Sequence, residues 1–225
     1  MVVSGLWPLI KGRGLPVPYE QLLKATVFVD YTVWVRKALM DEGVAAEFCD
    51  PSPNVHELLQ ALLSCWLKTW KCRCKELILV IDGARPPPKR KEREESDAAK
   101  VQTLKHLHSE CEGENESELS PEEITKKQKG CTYLTHTVWE AAVKVASEMG
   151  LKIWGSPYES DWMLAWAYRH HMCGYIVTMD CDLLALADNV IRWSPDDLKC
   201  ELYTRNIVYA ALNEGAEDRH KLQWN

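Results

Sequence analysis

The sequence predicts an α/β fold in which a mostly parallel central sheet carries helices on both faces. Short apolar runs that suit buried strands recur along the chain, and segments with apolar residues at helical spacing lie between them. With 225 residues and 46% hydrophobic content, the chain has enough material for one large core. Strands and helices that alternate along a chain build a parallel sheet that is covered on both sides.

Five runs are predicted as strands because each is short, apolar and bounded by polar or turn-forming residues. They lie at residues 25–29, 77–81, 151–154, 175–178 and 190–193. Helices are predicted where apolar residues recur every three to four positions, at residues 54–71, 135–149 and 161–170. Asn54 is a candidate capping residue for the first of these helices.

We interpret the chain as one domain in three parts, which span residues 1–95, 96–130 and 131–225. The middle part is expected to be an arch or a mobile insertion. Its segment 109–118 is acidic, rich in serine and almost free of apolar side chains, so it is expected to be mobile. Ser120, Pro121 and Glu123 form the pattern of a capping box with proline at the first helical position, which predicts a further helix.

Charge and cysteine content limit the partners and the compartment. Lys and Arg total 27 against 33 Asp and Glu, so a nucleic acid would have to bind at a local basic patch rather than through the net charge of −6. Nine cysteines without paired CxxC spacing or a preceding signal peptide fit a reducing compartment better than a disulfide framework. No apolar run approaches the roughly 18 residues of a membrane span. We therefore expect a protein that is neither secreted nor inserted in a membrane.

Acidic residues follow three of the predicted strands at their carboxyl ends, where ligands bind in open parallel sheets. Asp30 and Asp82 each come directly after an apolar run, and Asp180 and Asp182 follow the strand predicted at 175–178. Because the carboxyl ends of parallel strands meet at one edge of a sheet, these four carboxylates are expected to lie together.

Two further acids are predicted at the start of a helix. Residues 156–159 have the pattern of a helix start with Glu159 at the third helical position, and Asp161 follows two residues later. Both side chains reach one site only if that site lies off the N-terminal end of the helix. Taken alone, Glu159 is also explained as a capping-box acid, and Asp30 or Asp82 as a turn residue at a strand end.

Clustered carboxylates repel one another unless cations lie between them. All-oxygen ligands select hard ions such as Mg²⁺ or Mn²⁺. Two such ions about 4 Å apart stabilise both the attacking and the leaving oxygens at a phosphodiester. Metal-dependent hydrolysis of phosphodiesters is therefore the predicted chemistry.

Four stretches of the sequence form one combined pattern. They are Ser-Gly-Leu-Trp at 4–7, Val-Asp at 29–30 with Trp34, Ile-Asp-Gly at 81–83 continuing through Pro86 and Pro87 to Lys89, and Ser-Pro-Tyr-Glu-Ser-Asp at 156–161 followed by Thr-Met-Asp-Cys-Asp-Leu-Leu at 178–184. In order, spacing and context they resemble the XPG/flap-endonuclease family of structure-specific 5′ nucleases, which have a PIN-like fold. The resemblance extends over about residues 1–193.

The resemblance implies a metal site and a catalytic lysine. It implies that two Mg²⁺ ions are held, directly or through water, by Asp30, Asp82, Glu159, Asp161, Asp180 and Asp182. Lys89 corresponds to the family's lysine that contacts the scissile phosphate, where its charge would stabilise the transition state. We therefore take Lys89, Asp82 and Asp180 as the candidate catalytic residues, with a solvated lysine as the alternative for Lys89.

Four arginines are candidates for binding nucleic acid. Arg36 stands where relatives often carry a ring that stacks on a base, and guanidinium stacking can replace that ring. Arg85, Arg90 and Arg93 either steer the backbone of a single strand or form a solvated basic face.

Several positions depart from the family's pattern. Val2 stands in place of a glycine, Asp161 in place of a longer glutamate, and Ser96 where a second arch cation is usual. The family's next segment, a helix-turn-helix element with a further metal-site aspartate, is not found in this sequence. These departures motivate a rival hypothesis, in which the protein is a non-catalytic scaffold or binding relative.

The leading hypothesis is a Mg²⁺-dependent 5′ flap or junction endonuclease, or a 5′ exonuclease, that acts on DNA in repair or replication. A PIN-type ribonuclease acting on single-stranded RNA is the second rival. The nucleus is the expected compartment, with the cytoplasm as the alternative. Tryptophans on apolar helix faces, such as Trp162 and Trp166, indicate core packing or a surface covered by a protein partner or a further C-terminal segment.

Overall fold

The computed structural model of the chain describes residues 3–4, 6–49, 55–84, 87–112, 120–196, 199–214 and 223–224. These residues fall into two compact units, and each unit is described by itself. The first unit comprises Met1–Val33, Lys68–Ala84 and Leu151–Asn225, and the second comprises Trp34–Leu67 and Arg85–Gly150. The organisation of the chain as one domain in three parts stays a prediction.

The first unit contains a seven-stranded sheet among the described residues. In chain order the strands of the chain are β1 (Val3–Ser4), β2 (Leu15–Pro16), β3 (Thr26–Asp30), β4 (Glu76–Ile81), β5 (Lys152–Gly155), β6 (Tyr175–Thr178), β7 (Val190–Ser194), β8 (Lys199–Tyr203) and β9 (Gln223–Trp224). The order across the large sheet is β2-β8-β7-β6-β3-β4-β5. Strands β3 to β7 are parallel, whereas β8 and β2 extend the β7 edge in antiparallel pairing. Strands β1 and β9 form a separate antiparallel pair.

The described helices are distributed over both units. They are α1 (Leu6–Ile10), α2 (Tyr19–Leu22), α3 (Tyr31–Leu39), α4 (Glu42–Phe48), α5 (Val55–Lys71), α6 (Pro87–Glu112), α7 (Pro121–Cys131), α8 (His136–Glu148), α9 (Ser160–Arg169), α10 (Leu183–Leu186) and α11 (Arg205–Glu214). No helix among the described residues is long and apolar enough to cross a membrane.

Side chains on both faces of the central strands are buried. On one face, Phe28 and Val80 belong to a core cluster that also contains residues of α1, α9, α10 and α11. On the other face, Val29 has no solvent exposure. The last turn of α5 packs on this face, where the ring of its Trp70 lies 5.9 Å from the ring of Trp193 on β7. The predicted α/β fold with a mostly parallel, doubly covered sheet is confirmed, since parallel strands are stable when both faces are buried.

The second unit is helical in its described residues. Helix α7 begins with the predicted capping box, in which the Ser120 hydroxyl accepts a hydrogen bond from the Glu123 backbone N–H at 3.3 Å and the Glu123 carboxylate accepts one from the Ser120 backbone N–H at 2.9 Å. Helix α4 packs against α7 through a hydrogen bond of 3.7 Å from the Cys49 thiol to the Gln128 carbonyl. The Lys100 ammonium of α6 donates to the Thr132 carbonyl at 3.0 Å.

All five predicted strands and all three predicted helices are present, with ends shifted by one residue at most. The antiparallel strands β2 and β8 were not predicted. Strand β8 alternates polar and apolar residues over only five positions, and its position is determined by pairing with β7, as Leu202 faces Ile191. The candidate cap Asn54 lies outside the described residues.

Of the segment 109–118, residues 109–112 form the last turn of α6 and 113–118 lie outside the described residues, so its predicted mobility stays a prediction. Helix α6 has no apolar stripe, so periodicity does not reveal it. Its glutamates, lysines and alanines are strong helix formers, and Lys91 and Glu95 form an exposed ion pair of 3.8 Å one turn apart.

Two tryptophans of α9 are exposed, with 51% of Trp162 and 47% of Trp166 open to solvent. Core packing, one of the two roles predicted for them, is therefore excluded. The other role, a surface covered by a partner or by a further segment, stays a prediction.

Candidate carboxylate site

Asp30 ends strand β3 and has no solvent exposure. Its Oδ1 accepts hydrogen bonds from the Ser160 hydroxyl at 3.0 Å and from the Val33 backbone N–H at 3.4 Å, and its Oδ2 accepts one from the Thr178 hydroxyl at 3.2 Å. Burial, followed by the nearby Asp82 carboxylate, raises the pKa of Asp30 to about 7 even though these hydrogen bonds favour the ionised form. A carboxyl group in this environment is stabilised by any cation that comes close to it.

Asp82 follows strand β4, and it shares a hydrogen-bond donor residue, Ser160, with Asp30. Its backbone N–H donates to the Thr32 hydroxyl at 2.8 Å, and its Oδ1 accepts a hydrogen bond from the Ser160 backbone N–H at 2.8 Å. Ser160 therefore holds two acids at once, Asp30 through its hydroxyl and Asp82 through its backbone. Because Ser160 is the first residue of α9, its N–H has no partner within the helix and is available to the Asp82 carboxylate, while its hydroxyl binds Asp30.

A close backbone approach at Gly83 places the start of α9 beside the end of β4. The Gly83 N–H donates to the Tyr158 carbonyl at 2.6 Å, and the Ala84 N–H donates to the Pro157 carbonyl at 3.1 Å. A Cβ atom at residue 83 would overlap the carbonyl oxygen of Ser156. Only glycine allows the two segments to pass this closely.

Asp161 lies in the first turn of α9 and is half-buried. Its pKa is raised to about 8, first by burial and then by the charges of Asp30, Asp180, Asp182 and Asp82. Carboxylates from three strand ends thus come close enough to one helix N-terminus to oppose the ionisation of Asp161.

Asp180 and Asp182 lie on the turn between β6 and α10. The Asp180 Oδ1 accepts hydrogen bonds from the Cys181 N–H at 2.6 Å and from the Asp182 N–H at 3.4 Å, and the Asp180 N–H donates to the Thr178 hydroxyl at 3.0 Å. Asp180 is exposed and Asp182 is half-buried. The site therefore combines inner carboxyls, above all Asp30, with outer ones that solvent reaches.

The predicted position of Glu159 in its helix is wrong. Helix α9 begins at Ser160, so Glu159 is the N-cap residue, with an extended backbone at φ −70° and ψ 140°, and not the third helical residue. Its side chain makes no capping hydrogen bond. Instead the Ser156 hydroxyl turns the chain, donating to the Glu159 carbonyl at 2.9 Å and accepting from the Tyr158 N–H at 3.4 Å. The alternative explanation of Glu159 as a capping-box acid does not apply.

The donor chemistry of this edge fits a hard divalent cation, because all candidate ligands are carboxylates and the burial of two of them is costly without a counter-charge. Among the described residues, however, no group of three or more His, Cys, Asp or Glu side chains lies close enough together to hold a metal ion as it stands. The ligand set therefore stays a prediction. It comprises Asp30, Asp82, Glu159, Asp161, Asp180 and Asp182.

The candidate cations belong to the second unit. Lys89 is the third residue of α6 and is half-buried, and Arg90 beside it is exposed. Arg36 is half-buried on α3. Arg93 lies on α6, but its side chain is outside the described part of the structure, and Arg85 lies outside the described residues altogether, as does Val2. The roles of these residues stay predictions.

Sequence reasoning missed the residues that hold the acids in place. Ser160 and Thr178 share Asp30, and Thr32 anchors the backbone of Asp82. Each of these hydroxyl residues lies within two positions of a candidate acid, which is the signal that could have identified them. Hydroxyl groups beside clustered carboxylates are the donors that such a cluster needs.

The chain is similar in fold to several solved structures. The catalytic core of Rad2 in complex with a DNA substrate aligns with 94% of this chain and 56% of that chain, at 17% sequence identity and a TM-score of 0.61. Human GEN1 in complex with Holliday junction DNA aligns with 94% of this chain and 47% of that one, at 15% identity and a TM-score of 0.58. The Holliday junction-resolving enzyme GEN1 in complex with product DNA and a Mg²⁺ ion aligns with 92% and 41%, at 12% identity and a TM-score of 0.51.

The chain spans about half the length of the solved structures that it matches. No protein-family model matches the sequence, and no curated protein matches it either. At identities of 17% and below, a structural match is informative about the fold. The chain has the PIN-like α/β fold of these nuclease structures, and the resemblance to the XPG/flap-endonuclease family is confirmed at the level of the fold.

Proposed function

We propose that this chain is the core of a divalent-metal-dependent nuclease that hydrolyses DNA phosphodiesters at a 5′ flap, at a junction or from a 5′ end. The observation that carries the proposal is the set of five aspartates, from three strand ends and one helix N-terminus, whose charges act on one another at Asp161. Mutual repulsion of this kind destabilises the fold unless cations or protons offset it, and groups of this kind are typical of functional sites. The shared fold with Rad2 and GEN1, which were solved with DNA, supports the same assignment.

The ligands would come from the six acids predicted at this edge. Bound Mg²⁺ or Mn²⁺, expected as two ions, would lower the pKa of water near the phosphate and offset the charge that develops in the transition state. Asp180 is exposed to solvent, so it suits the first contact with a hydrated ion. Asp30 suits a deeper role, since three donors already fix both of its oxygens.

The residues of the chain prepare the site before a cation binds. The raised pKa values of Asp30 and Asp161 mean that the metal-free site retains protons near neutral pH. Binding a divalent cation must release those protons, so the apparent metal affinity should increase with pH. Ser160 can hold Asp30 and Asp82 at the same time, because its hydroxyl binds one and its backbone N–H binds the other.

The candidate residues for holding the substrate are cations. Lys89 supplies a positive charge for the scissile phosphate, and Arg36, Arg85, Arg90 and Arg93 bind the DNA backbone or a base. We propose a role in DNA repair or replication in the nucleus, with the cytoplasm as the alternative compartment. RNA is the alternative substrate, and a non-catalytic scaffold is the alternative function. The latter is favoured by the lack of a preformed group of three metal-binding side chains among the described residues.

The test is cleavage of a labelled 5′-flap duplex in Mg²⁺ or Mn²⁺, with metal binding followed by calorimetry. The parent chain is compared with the double variant Asp82→Asn, Asp180→Asn and with Asp196→Asn, an exposed aspartate on the turn after β7 that serves as the matched control. We expect the double variant to lose at least about 100-fold in rate, the scale for removing electrostatic stabilisation of a transition state, and the control to keep full activity.

Other outcomes distinguish the alternatives. Cleavage of single-stranded RNA in preference to the flap would support the ribonuclease. A parent chain that binds Mn²⁺ without cutting would leave the site intact but require a further segment for catalysis. A parent chain that binds neither metal nor DNA would contradict the nuclease proposal and leave the scaffold.

A further inference from the structure

Cys181 lies between Asp180 and Asp182, so a contact that fixes Cys181 restrains the backbone from which both carboxylates extend. The turn is otherwise held by Asp180 itself, whose Oδ1 accepts the N–H groups of the next two residues. A carboxylate that is recruited by a cation gives up part of this capping. The turn therefore needs a second anchor that does not involve its acids.

Arg192 supplies a contact of this kind. Its side chain lies close enough to the Cys181 sulfur to donate a hydrogen bond to it. In the pairing of β6 with β7, Arg192 is the neighbour of Thr178, the last residue before the turn. Arg192 thus connects the turn to the edge of the sheet on which the turn is built.

The direction of Arg192 is set by an aromatic ring. The centre of its guanidinium group lies 3.7 Å from the centroid of the Trp7 ring on α1, which is a close cation–π stack. The Trp7 ring in turn packs edge-on against Tyr203 of β8, with centroids 6.2 Å apart and an interplanar angle of 64°. The Tyr203 hydroxyl donates to the Glu201 carboxylate at 2.9 Å, so the supporting ring is fixed as well.

The Nε atom of Arg192 is buried and makes no hydrogen bond within the described part of the chain. A buried donor that is left unsatisfied destabilises the fold. The position of the Arg192 side chain is thus set by its stack on Trp7 and its contact with Cys181, although its Nε atom has no hydrogen-bond partner there.

We propose that Arg192, clamped on the ring of Trp7, is a positioning residue that sets the geometry of the Asp180–Asp182 turn through Cys181. The inference rests on the proposed function insofar as the turn supplies metal ligands, whereas its effect on the turn itself does not depend on catalysis. Lysine does not replace arginine at such a position, because a single ammonium group lacks the planar fork that stacks and donates in a fixed direction.

The positioning role and a purely electrostatic role predict opposite effects on metal binding. The positive charge of Arg192 beside an acidic turn repels a divalent cation, so removing that charge without other consequences would strengthen metal binding. If Arg192 positions the turn, its removal weakens metal binding instead. Residues that orient metal ligands typically change the metal affinity by about 10- to 100-fold when they are substituted.

The experiment uses Arg192→Met, Arg192→Lys and Trp7→Phe in the full chain, with two measurements. The first is the rate at which a maleimide labels the Cys181 thiol, followed by peptide mass spectrometry, with the buried Cys173 of the same unit as the internal reference. The second is the dissociation constant for Mn²⁺ by calorimetry. We expect Arg192→Lys, which keeps the positive charge beside the thiol, to speed labelling of Cys181 several-fold with Cys173 unchanged, and both Arg192 variants to weaken Mn²⁺ binding about 10-fold. Trp7→Phe, which keeps a ring, should have a smaller effect on both.

Equal acceleration at Cys181 and Cys173 would mean general destabilisation and would overturn the proposal, as would unchanged labelling of Cys181. Tighter Mn²⁺ binding by Arg192→Met alone would indicate the electrostatic role and also overturn it. If labelling changes as expected but the parent chain binds no metal, Arg192 positions the turn and it is the proposed nuclease function that fails. If Arg192→Met does not fold, Arg192→Lys, which keeps the charge, provides the same comparison.

Discussion

The two compact units of this protein are stabilised in different ways. In the first unit, strand β3 ends in four consecutive buried residues, and the last of them is the fully buried acid Asp30. In the second unit, helix α6 runs for 26 residues, and none of its described side chains is buried. The acids are therefore positioned by packing, whereas α6 depends mainly on the helix propensity of its residues, with few long-range contacts such as that of Lys100 with Thr132.

This difference teaches where substitutions should matter. A side chain in the first unit is fixed by neighbours from distant parts of the sequence, so changing it disturbs several partners at once. A side chain on α6 has mostly its own helix and solvent around it. We expect large effects on stability at the carboxylate edge and small ones in the described helices of the second unit, and four experiments test that contrast.

The largest effect should come from pH acting on the metal-free first unit. The native carboxyls of Asp30 and Asp161 have pKa values of about 7 and about 8, well above the ordinary value of 3.8. At pH values between the ordinary pKa and the raised native ones, the native state binds more protons than the unfolded chain. The free energy of unfolding is therefore highest below about pH 4 with respect to these groups, decreases as pH rises to about 8 and is flat beyond. The decrease should be on the order of several kcal/mol.

The measurement is urea unfolding in EDTA from pH 4 to pH 8.5, repeated with Asp30→Asn, whose neutral side chain should remove a large part of the slope. Added Mg²⁺ or Mn²⁺ should raise stability most at the alkaline end, where the acids are ionised. A parent chain whose stability increases over this range would contradict the raised pKa values.

The next largest effect is expected for Gly83→Ala. The new methyl group would overlap the Ser156 carbonyl, so the loop before α9 must move, at a cost of roughly 2–3 kcal/mol. The matched control is Gly130→Ala on α7 of the second unit, where a Cβ meets nothing within 4 Å. The control should be neutral or stabilising by up to about 1 kcal/mol, because alanine favours a helix. If Gly83→Ala and Gly130→Ala have equal free energies of unfolding in denaturant, the predicted difference between the two units is wrong.

A smaller loss is expected for Ser160→Ala. The variant keeps the backbone bond to Asp82 but loses the hydroxyl bond to Asp30, which should reduce stability by about 1–2 kcal/mol. The loss should be greater at pH 8 than at pH 5, since the bond is strongest when Asp30 is ionised. Thr103→Ala on α6 removes a similar hydroxyl bond at an exposed position and should change little. Equal losses at both pH values would argue against ionisation of Asp30 in this range.

The smallest loss is expected for Ser120→Ala, which removes the capping box of α7. Helix capping contributes about 1 kcal/mol, and the effect should stay within the second unit. Hydrogen exchange should accelerate in the first turn of α7 while the strands β3, β4 and β6 keep their protection. Faster exchange in those strands would show that the two units unfold together.

The strands β3 to β7 are predictable from the sequence because a buried parallel strand is a short apolar run, and Asp30 and Asp82 are visible as acids at the ends of such runs. Helix α6 and strand β8 are not, since neither has a periodic apolar pattern of useful length. The start of α9 was predicted too early because residues 156–159 have the sequence pattern of a helix start. The loop contacts of Gly83 instead keep the chain extended as far as Glu159.

The sequence by itself determined the order of the elements and which acids end the central strands. The reason is that a buried parallel strand and the polar residue that ends it form a local pattern of apolar and polar residues. Only the tertiary structure decided that Ser160 joins Asp30 to Asp82 and that Trp7 clamps Arg192 beside Cys181. Ser160 is 130 residues from Asp30 and 78 from Asp82. Contacts over such separations depend on how the sheet and its helices pack, and local propensities carry no information about that packing.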